Sequence, residues 1–107
     1  MNILLVCSAG MSTSILVNKM QQAASKQNIE VQIEALSEAD LKSKLDQADV
    51  ILIGPQVRYL KTQIQKKAKP HQIPVDVIDS IAYGTMDGDK VLAQAKGLIE
   101  KKKPGVL

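Results

Sequence analysis

Residues 2–14 read Asn-Ile-Leu-Leu-Val-Cys-Ser-Ala-Gly-Met-Ser-Thr-Ser, an apolar run that changes at Cys7 into small and hydroxylated residues. The run at 3–6 is typical of a buried parallel strand, and helical periodicity starts near Ile15. A strand, a tight turn and a helix N-terminus direct backbone N–H groups and a helix dipole at one point, which binds anions. The same point favours the nucleophilic thiolate of Cys7, so we expect a phosphoryl group on that sulfur.

Composition excludes several classes of protein. With 107 residues, 45% of them apolar, we expect one domain over residues 1–107 with a modest core. Phe and Trp are absent and the net charge is only +3, which argues against nucleic-acid binding. The single cysteine forms no intrachain disulfide, and no apolar run is long enough to span a membrane. Because the N-terminus lacks the features of a signal peptide, we expect a cytoplasmic protein.

Apolar patterns predict four strands that alternate with helices. Continuous apolar runs at 2–6 and 50–53 indicate central strands, whereas the alternation at 30–36 indicates a half-exposed edge strand. A fourth strand is expected at 74–78, and helical spacing follows each strand. This β-α-β-α-β-α-β-α order predicts an α/β fold: a single-domain parallel sheet of order 2-1-3-4 with helices on both faces, because crossovers are right-handed.

The first and third strands of this sheet are neighbours whose crossovers run in opposite directions. Ligands of such sheets bind beyond the carboxyl ends of the strands at this switch point. The loop after Cys7 and residues 54–56 should meet there, and the end of the fourth strand should lie on the same rim. We therefore expect these residues around the site: Gly54, Pro55, Gln56, Asp79 and Tyr83.

Cys7 and the residues after it carry the expected chemistry. A lone cysteine is often an inert buried residue, but this one ends a buried strand and precedes a Ser- and Gly-rich turn. The residues that we expect to bind phosphate, through N–H groups or hydroxyls, are Ser8, Ala9, Gly10, Met11, Ser12, Thr13 and Ser14. Helix capping is the alternative role of the hydroxyls, and Ser12 and Ser14 suit either role.

The loop resembles that of cysteine phosphatases but lacks one of its residues. Without Gly-Lys-Ser/Thr or a third glycine, it matches neither the Walker nor the dinucleotide pattern. In cysteine phosphatases an arginine follows the cysteine after five intervening residues, and Thr13 stands at that place here. Without the bidentate arginine, the charge of a transferring phosphoryl group is poorly stabilised. The loop therefore suits a site that accepts a phosphoryl group and keeps it until an acceptor arrives.

Three stretches together resemble the IIB components of the lactose/cellobiose family of the bacterial sugar phosphotransferase system: CSAGMSTS at 7–14, GPQ at 54–56 and DSIAYG at 79–84. The resemblance covers essentially the whole chain. It implies that Cys7 accepts a phosphoryl group from a phosphohistidine of IIA, as a phosphocysteine intermediate, and gives it to a sugar carried by the membrane-embedded IIC. It also implies a cellobiose-, chitobiose- or lactose-type disaccharide as the substrate.

The roles of several other residues stay open. Asp79 fits a helix cap or a general acid, and Tyr83 fits a cover over the loop or a core position. His71 is expected in a solvated loop far from the rim. The basic residues from Arg58 to Lys69 form either a solvated helix face or a patch for an acidic partner or anionic lipid.

Two other functions compete with phosphoryl transfer between proteins. One is a small cysteine phosphatase or arsenate reductase-like enzyme, which the missing arginine and the missing second cysteine argue against. The other is a non-catalytic module that binds an anion reversibly. One histidine, one cysteine and scattered carboxylates suggest no metal site, and we expect no cofactor.

Overall fold

Four parallel strands form the centre of the protein in the order β2-β1-β3-β4. The computed structural model describes residues 1–7 and 11–102, except for the side chains of 11–13, 101 and 102. The strands are β1 (Asn2–Val6), β2 (Gln32–Leu36), β3 (Val50–Ile53) and β4 (Val75–Val77). The order predicted from the sequence is confirmed, with the two continuous apolar runs in the middle of the sheet.

Helices cover both faces of the sheet. The α-helices are α1 (Met11–Lys26), α2 (Glu38–Leu41), α3 (Lys61–Ala68), α4 (Ser80–Gly84) and α5 (Gly88–Lys102). Three 3₁₀ segments join them: Lys42–Gln47, Pro55–Leu60 and Lys69–His71. The second and third helices are shorter than their apolar spacing predicts. The helix after β3, in particular, is interrupted at Val57, whose φ of −120° and ψ of 29° are not helical.

The side chains of β1 and β3 build two apolar clusters, one on each face. Ile3, Leu5, Val50 and Leu52 pack against α1, α4 and α5. Leu4, Val6, Ile51 and Ile53 pack against α2, α3 and two of the 3₁₀ segments. All eight side chains are 4% exposed or less. Residues 3–6 and 50–53 are all apolar because helices remove both faces of these strands from water.

Local signals set the ends of the two long helices. After α1, Asn28 adopts a left-handed φ of 57°, and the N–H of Ile29 donates to the carbonyl of Ala24 at 2.9 Å. This is the arrangement that asparagine favours at a helix end. At the start of α5, the Asp87 carboxylate accepts a hydrogen bond from the N–H of Lys90 at 3.1 Å. Both ends lie where the sequence predicts them.

Gly88 brings the start of α5 against the backbone of α1. A Cβ atom at this position would lie 2.4 Å from the carbonyl carbon of Lys19 and 2.5 Å from its oxygen. Both atoms belong to the backbone and have little room to move. The absence of a side chain at Gly88 therefore allows the close packing of the two helices.

We expect Gly88→Ala to lower the free energy of unfolding by about 1–3 kcal/mol, because the new methyl group forces α5 away from α1. Gly97→Ala is the matched control, since a Cβ there meets no atom within 4 Å. That control should gain about 0.5–1 kcal/mol from the better helix propensity of alanine. Urea denaturation followed by circular dichroism measures both, and a Gly88→Ala protein as stable as the control would contradict the packing argument.

Candidate functional site

Cys7 lies at the centre of the carboxyl edge of the sheet. Its N–H donates to the carbonyl of Leu36, at the end of β2, over 3.1 Å. On the other side, the N–H of Gly54 donates to the carbonyl of Val6 over 2.8 Å. The thiol-bearing residue, which is partly buried, thus follows β1 between the ends of two neighbouring strands. This is the switch point at which open α/β sheets bind their ligands.

Gly54 lets β3 leave the sheet close to Cys7. A Cβ atom at residue 54 would lie 3.7 Å from the Cβ of Cys7, 3.5 Å from the carbonyl oxygen of Val6 and 3.0 Å from Oε1 of Gln56. The φ of −61° and ψ of 142° at Gly54 are accessible to any residue, so its role here is to leave space. The Cβ of Cys7 and the carboxamide of Gln56 therefore border the same space.

The predicted phosphate-binding loop is described only in part. Ser8, Ala9 and Gly10 lie outside the described residues. Met11, Ser12 and Thr13 are described by their backbone alone, as the first residues of α1, and Ser14 is exposed in the same helix. Three residues therefore separate Cys7 from a helix N-terminus, as the strand-turn-helix pattern predicts. The roles of residues 8–14 in binding phosphate stay predictions.

Asp79 lies on the predicted rim, directly before α4. Its Oδ2 accepts a hydrogen bond from the N–H of Ala82 at 3.0 Å, so its carboxylate caps this helix. Of the two roles left open by the sequence, capping is the one for which the structure provides a partner.

Gln94 of α5 was not identified from the sequence. Its Nε2 donates to the carbonyl of Val77 at 2.8 Å, and its Oε1 accepts from the N–H of Asp79 at 3.2 Å. These two bonds satisfy backbone groups at the end of β4 and just after it, where the described part of the chain adds no further strand to the sheet. A single glutamine in an amphipathic helix carries no local signal of such a role.

The structure places Tyr83 in the core and His71 at the edge of the sheet opposite Cys7. Tyr83 is 8% exposed and belongs to the apolar cluster between the sheet, α1 and α5. His71 ends the 3₁₀ segment that precedes β4, at the opposite edge of the sheet. There its Nδ1 lies 3.3 Å from Oδ1 of the exposed Asp46.

The basic stretch divides into two groups. Lys61 pairs with Asp76 at 3.5 Å, and Lys67 pairs with Glu38. Arg58, Lys66 and Lys69 are exposed, as is the paired Lys67. Two lysines of the stretch thus form ion pairs within the chain, and the other three cations face solvent. The stretch therefore matches neither of the two alternatives as a whole.

Three segments that begin at the carboxyl edge each carry an exposed, large apolar side chain. Among the side chains that the structure describes, the large apolar ones that are exposed are Ile15 at 51%, Tyr59 at 74% and Ile81 at 71%. Ile15 lies near the start of α1, Tyr59 in the 3₁₀ segment after β3, and Ile81 near the start of α4. Each of these segments begins at the carboxyl edge. We call these three residues the apolar rim.

Neither a metal cluster nor a membrane span is found within residues 1–7 and 11–102. No group of three or more His, Cys, Asp and Glu side chains there is arranged to hold a metal ion. No helix in the same part of the chain is long and apolar enough to cross a membrane.

The sequence matches one family and several of its members. The family model for the lactose/cellobiose specific IIB subunit of the PTS system matches residues 2–94. The oligo-beta-mannoside-specific EIIB component of Bacillus subtilis is 46% identical over 97 residues, which cover 91% of this chain and 94% of the relative. The galactose-specific and cellobiose-specific EIIB components of two Lactococcus lactis strains are each 47% identical over 102 residues, with the same coverage of both chains.

Solved structures agree with the fold. The cellobiose-specific phosphotransferase IIB component of Borrelia burgdorferi has a TM-score of 0.80 at 46% identity and covers 95% of this chain and 94% of its own. The lactose-specific IIB component domain of Streptococcus pneumoniae has a TM-score of 0.82 at 17% identity, over 92% of this chain and 96% of its own. The second similarity concerns the fold alone.

Replacing Asp79 tests its role as a cap. We expect Asp79→Ala to lower the free energy of unfolding by about 1 kcal/mol, because the N–H of Ala82 loses its acceptor. Asp79→Asn keeps an acceptor oxygen and should retain most of the stability. Thermal and urea unfolding of both variants measure the effect, and equal losses would show that the carboxylate has another structural role.

Proposed function

The chain belongs to the lactose/cellobiose-specific IIB subunits of the PTS system, and on this premise we propose that Cys7 is the residue that carries the phosphoryl group. IIB components are phosphotransferases that work with IIA and IIC in sugar uptake. The observation that supports the assignment is the place of Cys7, which lies beside Gly54 at the switch point of the sheet. Cys7 is partly buried, and a helix begins at Met11, after three intervening residues.

The proposed reaction has two transfers. In the first, the thiolate of Cys7 attacks the phosphorus of a phosphohistidine on IIA; the sulfur–phosphorus bond forms, the nitrogen–phosphorus bond breaks and the imidazole leaves. In the second, the oxygen of a sugar hydroxyl held by IIC attacks the phosphorus; the oxygen–phosphorus bond forms, the sulfur–phosphorus bond breaks with release of the thiolate, and the hydroxyl proton passes to a base on IIC or to water. Both transfers need an in-line approach, so the carboxyl edge must be open to each partner in turn.

The proposed phosphate-binding groups are those of residues 8–14. Backbone N–H groups and hydroxyls there, with the positive end of the α1 dipole, would hold the nearly dianionic phosphocysteine. Thr13 offers no guanidinium to the transferring group. This supports a carrier in which the thiophosphate is bound but not rapidly hydrolysed.

We assign the docking of IIA to the apolar rim. A partner that reaches Cys7 from the carboxyl edge approaches the three segments that carry Ile15, Tyr59 and Ile81. Arg58, exposed beside Tyr59, would favour an acidic group at the margin of that partner. The proposed setting is the cytoplasm, next to membrane-embedded IIC.

The sugar acceptor is proposed as a disaccharide of cellobiose, chitobiose or lactose type. The three curated relatives are named for an oligo-beta-mannoside, galactose and cellobiose, although their identities to this chain differ by only one percentage point, from 46% to 47%. Overall similarity to these relatives therefore does not select the sugar, which is consistent with a phosphate loop that contains no sugar-recognition signal.

Replacing the thiol tests the phosphocysteine directly. After incubation with IIA phosphorylated on its histidine, the wild-type chain should gain one phosphoryl group by intact mass, and iodine should release it. Cys7→Ser should gain none, because an alcohol at this site is a much poorer nucleophile than a thiolate. The proposal fails if the folded serine variant is phosphorylated at the wild-type rate, or if the wild-type group survives iodine.

A lysine on the apolar rim tests the docking surface. We expect Ile81→Lys to raise the KM for phosphorylated IIA about tenfold with little change in kcat, because a buried contact is lost while the thiol is untouched. Ala93→Lys adds the same charge on α5, near Gln27 at the far end of α1, and should behave as wild type. Equal KM values for the two variants would show that IIA does not dock on the apolar rim.

A further inference from the structure

We infer that the carboxamide of Gln56 binds the phosphoryl group on Cys7 directly. The inference rests on the proposed phosphocysteine and adds a side chain from β3 to a site that the sequence assigns to the loop after β1. The Cβ of Cys7 and Oε1 of Gln56 both lie within 4 Å of the point where a side chain on Gly54 would begin.

A phosphoryl group on Cys7 extends that side chain by one sulfur–phosphorus and one phosphorus–oxygen bond. The space left by Gly54 is where the extended group and the carboxamide meet. Half a turn about the last torsion of Gln56 exchanges its oxygen and nitrogen, so that Nε2 presents two N–H donors. A donor facing a dianion makes a stronger hydrogen bond than a donor facing a neutral group.

The backbone of Gln56 is held in place, whereas its side chain is exposed. Pro55 starts the 3₁₀ segment, and the N–H of Val57 donates to the carbonyl of Gly54 at 3.0 Å, which closes the turn. Val57 is 4% exposed and packs in the cluster beneath the sheet. Because the turn is fixed by the core, the carboxamide needs only side-chain torsions to reach the phosphoryl group.

Gln56 has a neutral carboxamide that makes no hydrogen bond within residues 1–7 and 11–102. By contrast, the carboxylate of Asp79, which also lies on the rim, already accepts the hydrogen bond that caps α4. A glutamine binds a phosphoryl oxygen without the full positive charge of the arginine that phosphatases use. It therefore fits a site that stabilises a bound thiophosphate and still lets an acceptor take it.

The test uses Gln56→Leu and Gln56→Glu, with the same two changes at Gln65 as controls. Gln65 is exposed on α3 and lies near Gln72 and Pro74, at the amino end of β4. Each protein is phosphorylated with phospho-IIA, and the phosphorus NMR signal is followed against pH. In Gln56→Glu we expect the midpoint of the second phosphoryl ionisation to rise by about one pH unit, because a like charge disfavours the dianion.

Gln56→Leu should move the phosphoryl-transfer equilibrium about tenfold back toward phospho-IIA, because the dianion loses a donor. Both Gln65 variants should match wild type. The inference is overturned if the phosphorus signal and midpoint of the Gln56 variants match those of the wild type. If the wild type itself takes no phosphoryl group on Cys7, the proposed function fails first, so the two failures are distinguishable.

Gly54→Ala gives an independent test in which Gln56 is kept. The backbone angles at Gly54 accept alanine, and the distances to Val6 and Cys7 are ordinary contacts, so the fold should persist. The methyl group would instead displace the carboxamide, whose oxygen lies 3.0 Å away. We expect a changed phosphorus signal and an equilibrium shift in the same direction as Gln56→Leu. A wild-type signal in this variant would count against the contact.

Discussion

The close pairing of β1 with β3 is the constraint on which the site depends. Val6 is in register with Ile53, and the residue that follows each strand belongs to the proposed site: Cys7 after β1 and Gly54 after β3. The hydrogen bond from the N–H of Gly54 to the carbonyl of Val6 holds the two chain exits together. The side chains of both strands are packed into the apolar clusters on the two faces of the sheet. Because a slip of register would break this close packing, the core fixes the relation of Cys7 to Gly54.

α5 connects this core to the rest of the rim. At its start, Gly88 touches the backbone of α1 at Lys19, and α1 is the helix that follows the Cys7 loop. Further along, Gln94 binds both sides of the turn between β4 and α4, which presents Ile81. One helix therefore positions two of the three rim segments. The third, at Pro55, is positioned by its own turn and by the burial of Val57.

Much of the fold was predictable because its signals are local. The unbroken apolar runs predicted the central strands and their order, and Asn28 predicted the end of α1. The role of Gln94 and the exposure of the apolar rim were not predictable, since they depend on which surfaces the packed helices leave open. Cys7 and the rim segment at 54–56 were found from their positions after apolar runs. The closeness of Gln56 to Cys7 was not predictable, because it depends on the space left by Gly54, and a sequence pattern does not show that space.

A phosphoryl carrier differs from a phosphatase in what its site must avoid. A contact that stabilises phosphocysteine more than it stabilises the transition state of the second transfer raises the barrier to that transfer. The increase equals the difference between the two stabilisation free energies. Strong fixed charge would therefore slow the donation to sugar, unless it acts equally on the transition state. Neutral donors, such as the N–H groups expected after Cys7 and the carboxamide inferred at Gln56, bind the group more weakly. In the proposed carrier, Thr13 in place of arginine avoids excess stabilisation, and the partners proposed to dock on the apolar rim supply the rest when they arrive.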